Sequence, residues 1–274
     1  MISDSKGHKN TIVKVSILGC GWFGLALAKQ LVATGYWVNG STTTPEKLQS
    51  ISKAKINPFL VNFMAESIQA DEVFFETDAL FICIPPKRNS NELKNYPEKI
   101  KNILNASKGK TSKVILISST SVYRDENKTV NETTQTSPDT DSGKVVLLAE
   151  QILKEYYPND FTIIRFAGLI GPDRNPGRFF AGKKNVPNGL APVNLIHQKD
   201  AVGIAEAILS KKAFGRIYNA CSSEHPTRKD FYINAARESD LELPDFLEEK
   251  QSWKIVESLN VPKFLDYEFQ VVGL

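Results

Sequence analysis

Residues 19–24, Gly-Cys-Gly-Trp-Phe-Gly, lie between a run of β-branched and apolar residues (12–18) and a helical pattern of Phe23, Leu25, Ala26, Ala28, Leu31 and Val32. Gly35 closes the helix, and residues 36–40 read as a second strand. The chain thus places G-x-G-x-x-G between a strand and a helix, the context that gives this spacing a physical meaning. Gly19 permits the tight turn, Gly21 leaves room for a pyrophosphate against the backbone, and Gly24 lets the helix pack close to the strand. Trp22 and Phe23 open a helix whose free N–H groups and positive end favour phosphate. The reading is of a dinucleotide held at the first turn of a parallel sheet; the same glycines also suit an ordinary turn.

Similar units follow. Residues 57–62 read as a weak strand, 79–84 as a buried strand closed by Pro85 and Pro86, and 113–118 as another. Helical patterns cover 96–106 and 142–157, the latter with Val145, Leu148, Ile152 and Tyr156 on one side, and 161–166 is strand-like. Strands alternating with helices over this length predict an α/β fold, a Rossmann-type doubly wound parallel sheet with a small C-terminal substrate-binding part. Residues 168–189 are rich in Gly, Pro and Asn and read as a long functional loop. Regular structure returns at 193–197, in a helix at 201–211 with Asp200 as N-cap, and in a strand at 216–220. A helix with Phe231, Ile233 and Ala236, an acidic stretch and a short ending complete the chain. The expected division is a loose tail at 1–10, a dinucleotide-binding domain at 11–170 to which 193–220 returns, and a substrate-binding part at 171–192 and 221–274.

Composition narrows the partners. The 274 residues are 41% hydrophobic and 24% charged, which excludes disorder and disulfide-stapled scaffolds. A net charge of +3 gives no argument for nucleic acid. No apolar run is long enough to span a bilayer, and the polar first ten residues lack the core of a signal peptide. Cys20, Cys83 and Cys221 are scattered, which suits thiols in a reducing cytoplasm. With His8, His197 and His225 as the only histidines, no metal site is expected, and His197 reads as a packed side chain.

Two hydroxyl runs bear on chemistry. An NAD site usually places a carboxylate about 20 residues after the glycines, to bind the ribose. Here that place holds Ser41, Thr42, Thr43 and Thr44, followed by Pro45, Glu46 and Lys47 as a helix start with Thr44 as N-cap. Hydroxyls, a helix start and Lys47 suit the extra phosphate of NADP, which a carboxylate would repel. NADP is therefore favoured, NAD stays open, and the same residues also serve as turn and cap residues. Ser118, Ser119, Thr120 and Ser121 end a central strand, where open α/β sheets bind ligands; the run can also satisfy its own backbone.

These segments together resemble an extended or atypical short-chain dehydrogenase/reductase of the NAD(P)-dependent epimerase/dehydratase type. ILGCGWFG resembles the family's dinucleotide turn, ISSTSVY its central-strand signature, and GKVVLLAEQIL the helix after its active site. TIIRFAGLIGPDR and VNLIHQKDAVGIAEAIL resemble its later signatures. The resemblance implies that Ile84, Pro85 and Pro86 face the cofactor ribose, that Phe166 and Gly168 meet the nicotinamide edge, and that Arg174 and Arg178 grip an anionic substrate. It places the catalytic Ser/Thr at Ser119; Tyr123, whose role in the family is mainly structural, is a candidate substitute acid.

The chain departs from the family at one point. Members carry Y-x-x-x-K on the helix ahead of the Ala-Glu pair; counting back from Glu150, those places hold Ser142 and Val146. Tyr96, Tyr123 and Tyr156 are followed at that spacing by Ile100, Asn127 and Asp160. Lys144 lies roughly 200° round the helix from Ser142 and does not restore the pair. The expectation is an NAD(P)-binding oxidoreductase or epimerase-like protein with altered catalysis, acting on a small anionic or sugar-nucleotide-like molecule. The alternatives are a non-catalytic NADP(H) sensor and a sugar-nucleotide epimerase or dehydratase of the usual type.

Overall fold

A computed structural model of the chain describes residues 13–63, 67–86 and 90–273. The tail expected at 1–10 lies outside the described residues. In chain order the first half runs β1 (Lys14–Leu18), α1 (Trp22–Ala33), β2 (Trp37–Thr42), α2 (Leu48–Lys53), β3 (Asn57–Leu60), β4 (Asn62–Phe63), β5 (Ile68–Gln69), β6 (Thr77–Ile82), α3 (Ser90–Ser107) and β7 (Thr111–Ser119). It continues with β8 (Lys128–Val130), α4 (Asp141–Tyr156), β9 (Phe161–Phe166), β10 (Gly168–Ile170), α5 (Gly177–Phe180), β11 (Leu195–His197), α6 (Gln198–Ser210), β12 (Ile217–Ala220), α7 (Arg228–Glu238) and β13 (Lys254–Val256).

Seven strands form one parallel sheet in the order β12-β9-β7-β6-β1-β2-β3. Because side chains alternate across a strand, each central strand feeds two cores. Val15, Ile17, Ala79, Phe81 and Ile115 enter the core shared with α1 and α6; Leu18, Leu80, Ile82, Val114 and Leu116 enter the core shared with α3 and α4. The buried residues on α1 (Leu27, Leu31), α6 (Ile204, Ile208), α3 (Ile100, Ile103) and α4 (Ala149, Leu153) cover the two faces. Continuous apolar strands follow from burial on both sides. The chain builds outward from β1 through β2 to β3, then crosses back to β6 on the other side. The β1–β6 edge is therefore the switch point, where open α/β sheets bind ligands.

A smaller layer lies beyond the sheet. The parallel pairs β10–β11 and β13–β8 and the packed helices α5 and α7 carry it, with Val193, Leu195 and Phe231 as its own small core.

Some local expectations change. The helix expected at 201–211 starts at Gln198, and its N-cap is His197, whose Nδ1 accepts the Lys199 N–H at 3.1 Å. Asp200 lies inside the helix and is buried, accepting from the Tyr267 hydroxyl (3.0 Å) and the N–H groups of Gln270 (2.7 Å) and Val271 (3.2 Å). It caps the C-terminal segment instead of its own helix. Thr44 does precede a helical turn, Pro45–Lys47, but its side chain makes no capping bond. On α4 the buried stripe is Gly143, Val146, Ala149, Ile152 and Leu153, one residue off the expected line, and Leu148 is exposed. The C-terminal stretch holds β13 and a helical turn, Val261–Leu265, as well as the expected helix.

Candidate functional site

The turn after β1 uses each glycine differently. Gly19 has φ +99°, and a Cβ there would meet Ile84 Cγ2 at 2.8 Å. A Cβ on Gly24 would lie 2.2 Å from the Gly19 carbonyl oxygen, so α1 packs directly on the turn. A Cβ on Gly21 would meet nothing within 4 Å. That open backbone caps α1 without a side-chain bond, which suits an anion at the helix end. The Ser41 Oγ accepts the Gly19 N–H at 2.9 Å, and the Ser41 carbonyl accepts the Cys20 N–H at 2.8 Å. Ser41 is therefore a buried brace of the turn. The Thr42 Oγ1 accepts the Thr44 N–H at 3.1 Å, while Thr43 and Lys47 are exposed.

A cleft of about 550 Å³ opens above the switch point. Its wall unites residues 21–24, 83–86 and 117–119 with Val146, Phe166, Ala167, Leu169 and Arg174. Thus Gly21, Trp22, Phe23, Gly24, Ile84, Pro85, Pro86, Ser118, Ser119 and Phe166, from separate stretches of sequence, line one space. Ser41, Thr42, Thr43 and Thr44 are not part of this wall. Gly168 lines a second cavity instead.

Ser119 accepts the Ser121 N–H at 3.1 Å and so caps the turn Thr120–Val122. Its own O–H remains able to donate. Gly143 makes this packing possible, since a Cβ there would meet the Ser121 carbonyl oxygen at 2.5 Å. The Ser118 hydroxyl donates to Glu150 Oε1 at 2.6 Å. Arg165 holds the same carboxylate with two bonds, Nε to Oε1 at 2.9 Å and Nη2 to Oε2 at 2.6 Å. Its Nη1 donates to the Tyr123 oxygen at 2.6 Å. Tyr123 is buried, and its hydroxyl lies 2.9 Å from the Asn131 carbonyl and 3.1 Å from Asn219 Oδ1. Burial raises this phenol more than the neighbouring Arg165 lowers it. Tyr123 therefore faces a closed polar chain under the sheet edge and is not on the cleft wall. Sequence patterns do not mark Glu150 and Arg165 as functional partners; their one signal is a charge inside an otherwise apolar run, LLAEQIL and TIIRF.

Of the described cleft-lining residues only Cys83 and Arg174 are ionisable. Burial pushes the Cys83 thiol well above its usual range, and a guanidinium only donates. Val146 presents a branched alkyl group on this wall, while Ser142, one turn earlier on α4, is outside it.

The second cavity, about 480 Å³, adjoins the first along the backbone: Thr120 follows Ser119, and Gly168 lies between Ala167 and Leu169. Phe179, Phe180, Tyr232 and Trp253 form aromatic walls, with Arg228, Lys254 and Asp125 at their edge. Lys254 Nζ donates to the Tyr123 carbonyl at 2.9 Å and to Asp125 Oδ1 at 2.6 Å. No sequence pattern singles out Arg228 and Lys254, because they come from unrelated elements. The two expected substrate arginines do not converge. Arg174 stacks on Trp22 in the first cleft, and Arg178 is exposed and lines neither space.

Fold and cleft together define a chain with a Rossmann-type, oxidoreductase/epimerase-like fold and an open cleft at its switch point. Residues 14–121 match the family described as NADP oxidoreductase coenzyme F420-dependent. Over 263 residues the chain is 36% identical to Protein YeeZ of Escherichia coli (strain K12), covering 94% of this chain and 96% of that one. The chain belongs to the family of Protein YeeZ. Its fold is shared with UDP-glucuronic acid 4-epimerase from Bacillus cereus, solved in complex with NAD (TM-score 0.77, 20% identity, 94% of each chain). It is shared also with a functionally unknown conserved protein from Silicibacter pomeroyi (TM-score 0.75, 21% identity, 96% of this chain and 95% of that one). Among the described residues no helix is long and apolar enough to cross a membrane.

Proposed function

We propose that the chain is an atypical short-chain dehydrogenase/reductase that binds a nicotinamide dinucleotide, NADP in preference to NAD, along the cleft from the glycine turn to Ser119. The observation that carries this is the union of the open Gly21 backbone, the 83–86 strand end and the Ser118–Ser119 strand end in one space at the switch point. In this reading Gly19, Gly21 and Gly24 with the start of α1 hold the pyrophosphate. Ile84, Pro85 and Pro86 flank the ribose, and Phe166 and Gly168 lie at the nicotinamide end. Of the hydroxyl run, Thr43 with Lys47 faces the extra phosphate, while Ser41 and Thr42 shape the backbone around it. When bound, the cofactor supplies hydride chemistry.

A small anionic or sugar-nucleotide-like substrate fits the adjoining aromatic cavity, where Arg228 provides positive charge beside the Lys254–Asp125 ion pair and the rings a stacking surface. On this division residues 11–170 and 193–220 serve the cofactor, and 171–192 and 221–274 serve the substrate. Three free thiols suit a reducing cytoplasm.

Catalysis is altered in this reading. Ser119 can orient a carbonyl, but among the described residues the cleft wall carries no carboxylate, histidine, tyrosine or lysine to serve as general acid or base, and Val146 fills the family's lysine place. The same observation favours a second reading, a non-catalytic protein that reports on NADP(H). Calorimetric titration with NADPH and NADH tests the binding claim. NADPH oxidation across a panel of carbonyls and sugar nucleotides separates enzyme from sensor.

A further inference from the structure

We infer that Arg174 is a dinucleotide residue, held by Trp22 as part of a strap that lies over the glycine turn and clamps the pyrophosphate. This rests on the reading that the cleft binds a dinucleotide, and it removes Arg174 from the substrate side.

The strap is residues 171–174. The Arg174 N–H donates to the Gly171 carbonyl at 3.0 Å, closing a turn with Pro172 at its second place and Asp173, φ +63°, at its third. One hydrogen bond and one stacking contact fasten that turn to the start of α1, and a further hydrogen bond ties α1 to α6 beside it. The Trp22 indole N–H donates to the Pro172 carbonyl at 2.6 Å. The Arg174 guanidinium carbon stands 4.1 Å from the Trp22 ring centroid. Gln198 Nε2, from the first residue of α6, donates to the Trp22 carbonyl at 3.0 Å. Gly171 is needed where the strap crosses, since it has φ +142° and a Cβ would meet Gln198 Cβ at 3.1 Å and Trp22 Cζ2 at 3.4 Å.

Trp22 is an interior residue of the G-x-G-x-x-G turn, so whatever it holds is held where phosphates would approach. Arg174 lines the same cleft as Gly21, Gly24 and Pro86. It has no carboxylate among the ion pairs of the described residues, and its charge stands over the Trp22 ring there. A guanidinium held over an indole can offer N–H groups to two phosphate oxygens, which a flexible ammonium would not pre-orient. Helix end below and guanidinium above thus give the pyrophosphate two positively polarised walls.

The test is calorimetric NADPH binding by the wild type, Arg174→Ala and Trp22→Phe over a range of ionic strength, with a melting curve for each. Removing one charge-assisted hydrogen bond weakens binding roughly 10- to 100-fold. Arg174→Ala is expected to show that weakening together with a flatter salt dependence; Trp22→Phe, which gives up the indole N–H but keeps a ring, is expected to show a smaller effect. Binding by Arg174→Ala within about twofold of wild type overturns the clamp, as does weaker binding with unchanged salt dependence, which would make the strap only a structural support. Failure of the wild type to bind any dinucleotide is a separate result, and it overturns the cofactor reading and the clamp together.

Discussion

Arg165 and Glu150 are charged residues with almost no solvent exposure, 2% and 0%, and their mutual geometry keeps them tolerable. Breaking a buried pair by removing one partner leaves an uncompensated charge and costs about 3–5 kcal/mol. Glu150→Leu and Arg165→Leu are each expected to destabilise the chain on that scale in denaturant titrations. The double variant is expected to cost less than the sum, because both desolvation penalties go together. A strictly additive double variant would show that the pair does not act as a unit. At the hydroxyl run, Thr43 is exposed and Ser41 is committed to the turn, so only the former is free to sense a cofactor phosphate. Thr43→Asp is expected to weaken NADPH more than NADH, measured by titration; equal losses would remove Thr43 from the choice.

The elements differ in how far sequence alone exposes them. The glycine turn is legible because each glycine answers a local demand: positive φ at Gly19, open backbone at Gly21, helix packing at Gly24. Four of the central strands are legible as apolar runs because they are buried on both faces. The role of Asp200 is hidden because its partners lie 67 to 71 residues away on the C-terminal segment, and no local pattern encodes that. Ser41 reads as a ligand for the same reason, since its bond to Gly19 spans 22 residues. The aromatic cavity is invisible in the sequence because Phe179, Arg228 and Trp253 meet only through the packing of α5, α7 and the chain before β13. Asp200→Ala removes the acceptor of three donors at once. It is expected to speed amide exchange at Gln270 and Val271 while the sheet amides stay protected, and unchanged exchange there would deny Asp200 its capping role.

At the scale of the whole molecule, a parallel sheet with its switch point at β1 and β6 sets an open cleft beside an aromatic cavity edged by Arg228 and the Lys254–Asp125 ion pair. Among the described residues the cleft wall carries no carboxylate, histidine, tyrosine or lysine. A positioned proton donor contributes typically 10²–10⁴-fold in rate, so ordinary epimerase or dehydratase turnover by the wild type is expected to be at or near background. Robust turnover that survives both Ser119→Ala and Tyr123→Phe would show that another group does the chemistry. The central claim is that this cleft holds NADP at the glycine turn, and one calorimetric comparison tests it most directly: wild type and Gly21→Val, each titrated with NADPH and NADH. The expected result is NADPH binding by the wild type, tighter than NADH, and its disappearance in Gly21→Val with the melting temperature preserved, because the added side chain points into open space. Absence of dinucleotide binding by the wild type, or the same NADPH affinity in Gly21→Val, would contradict it.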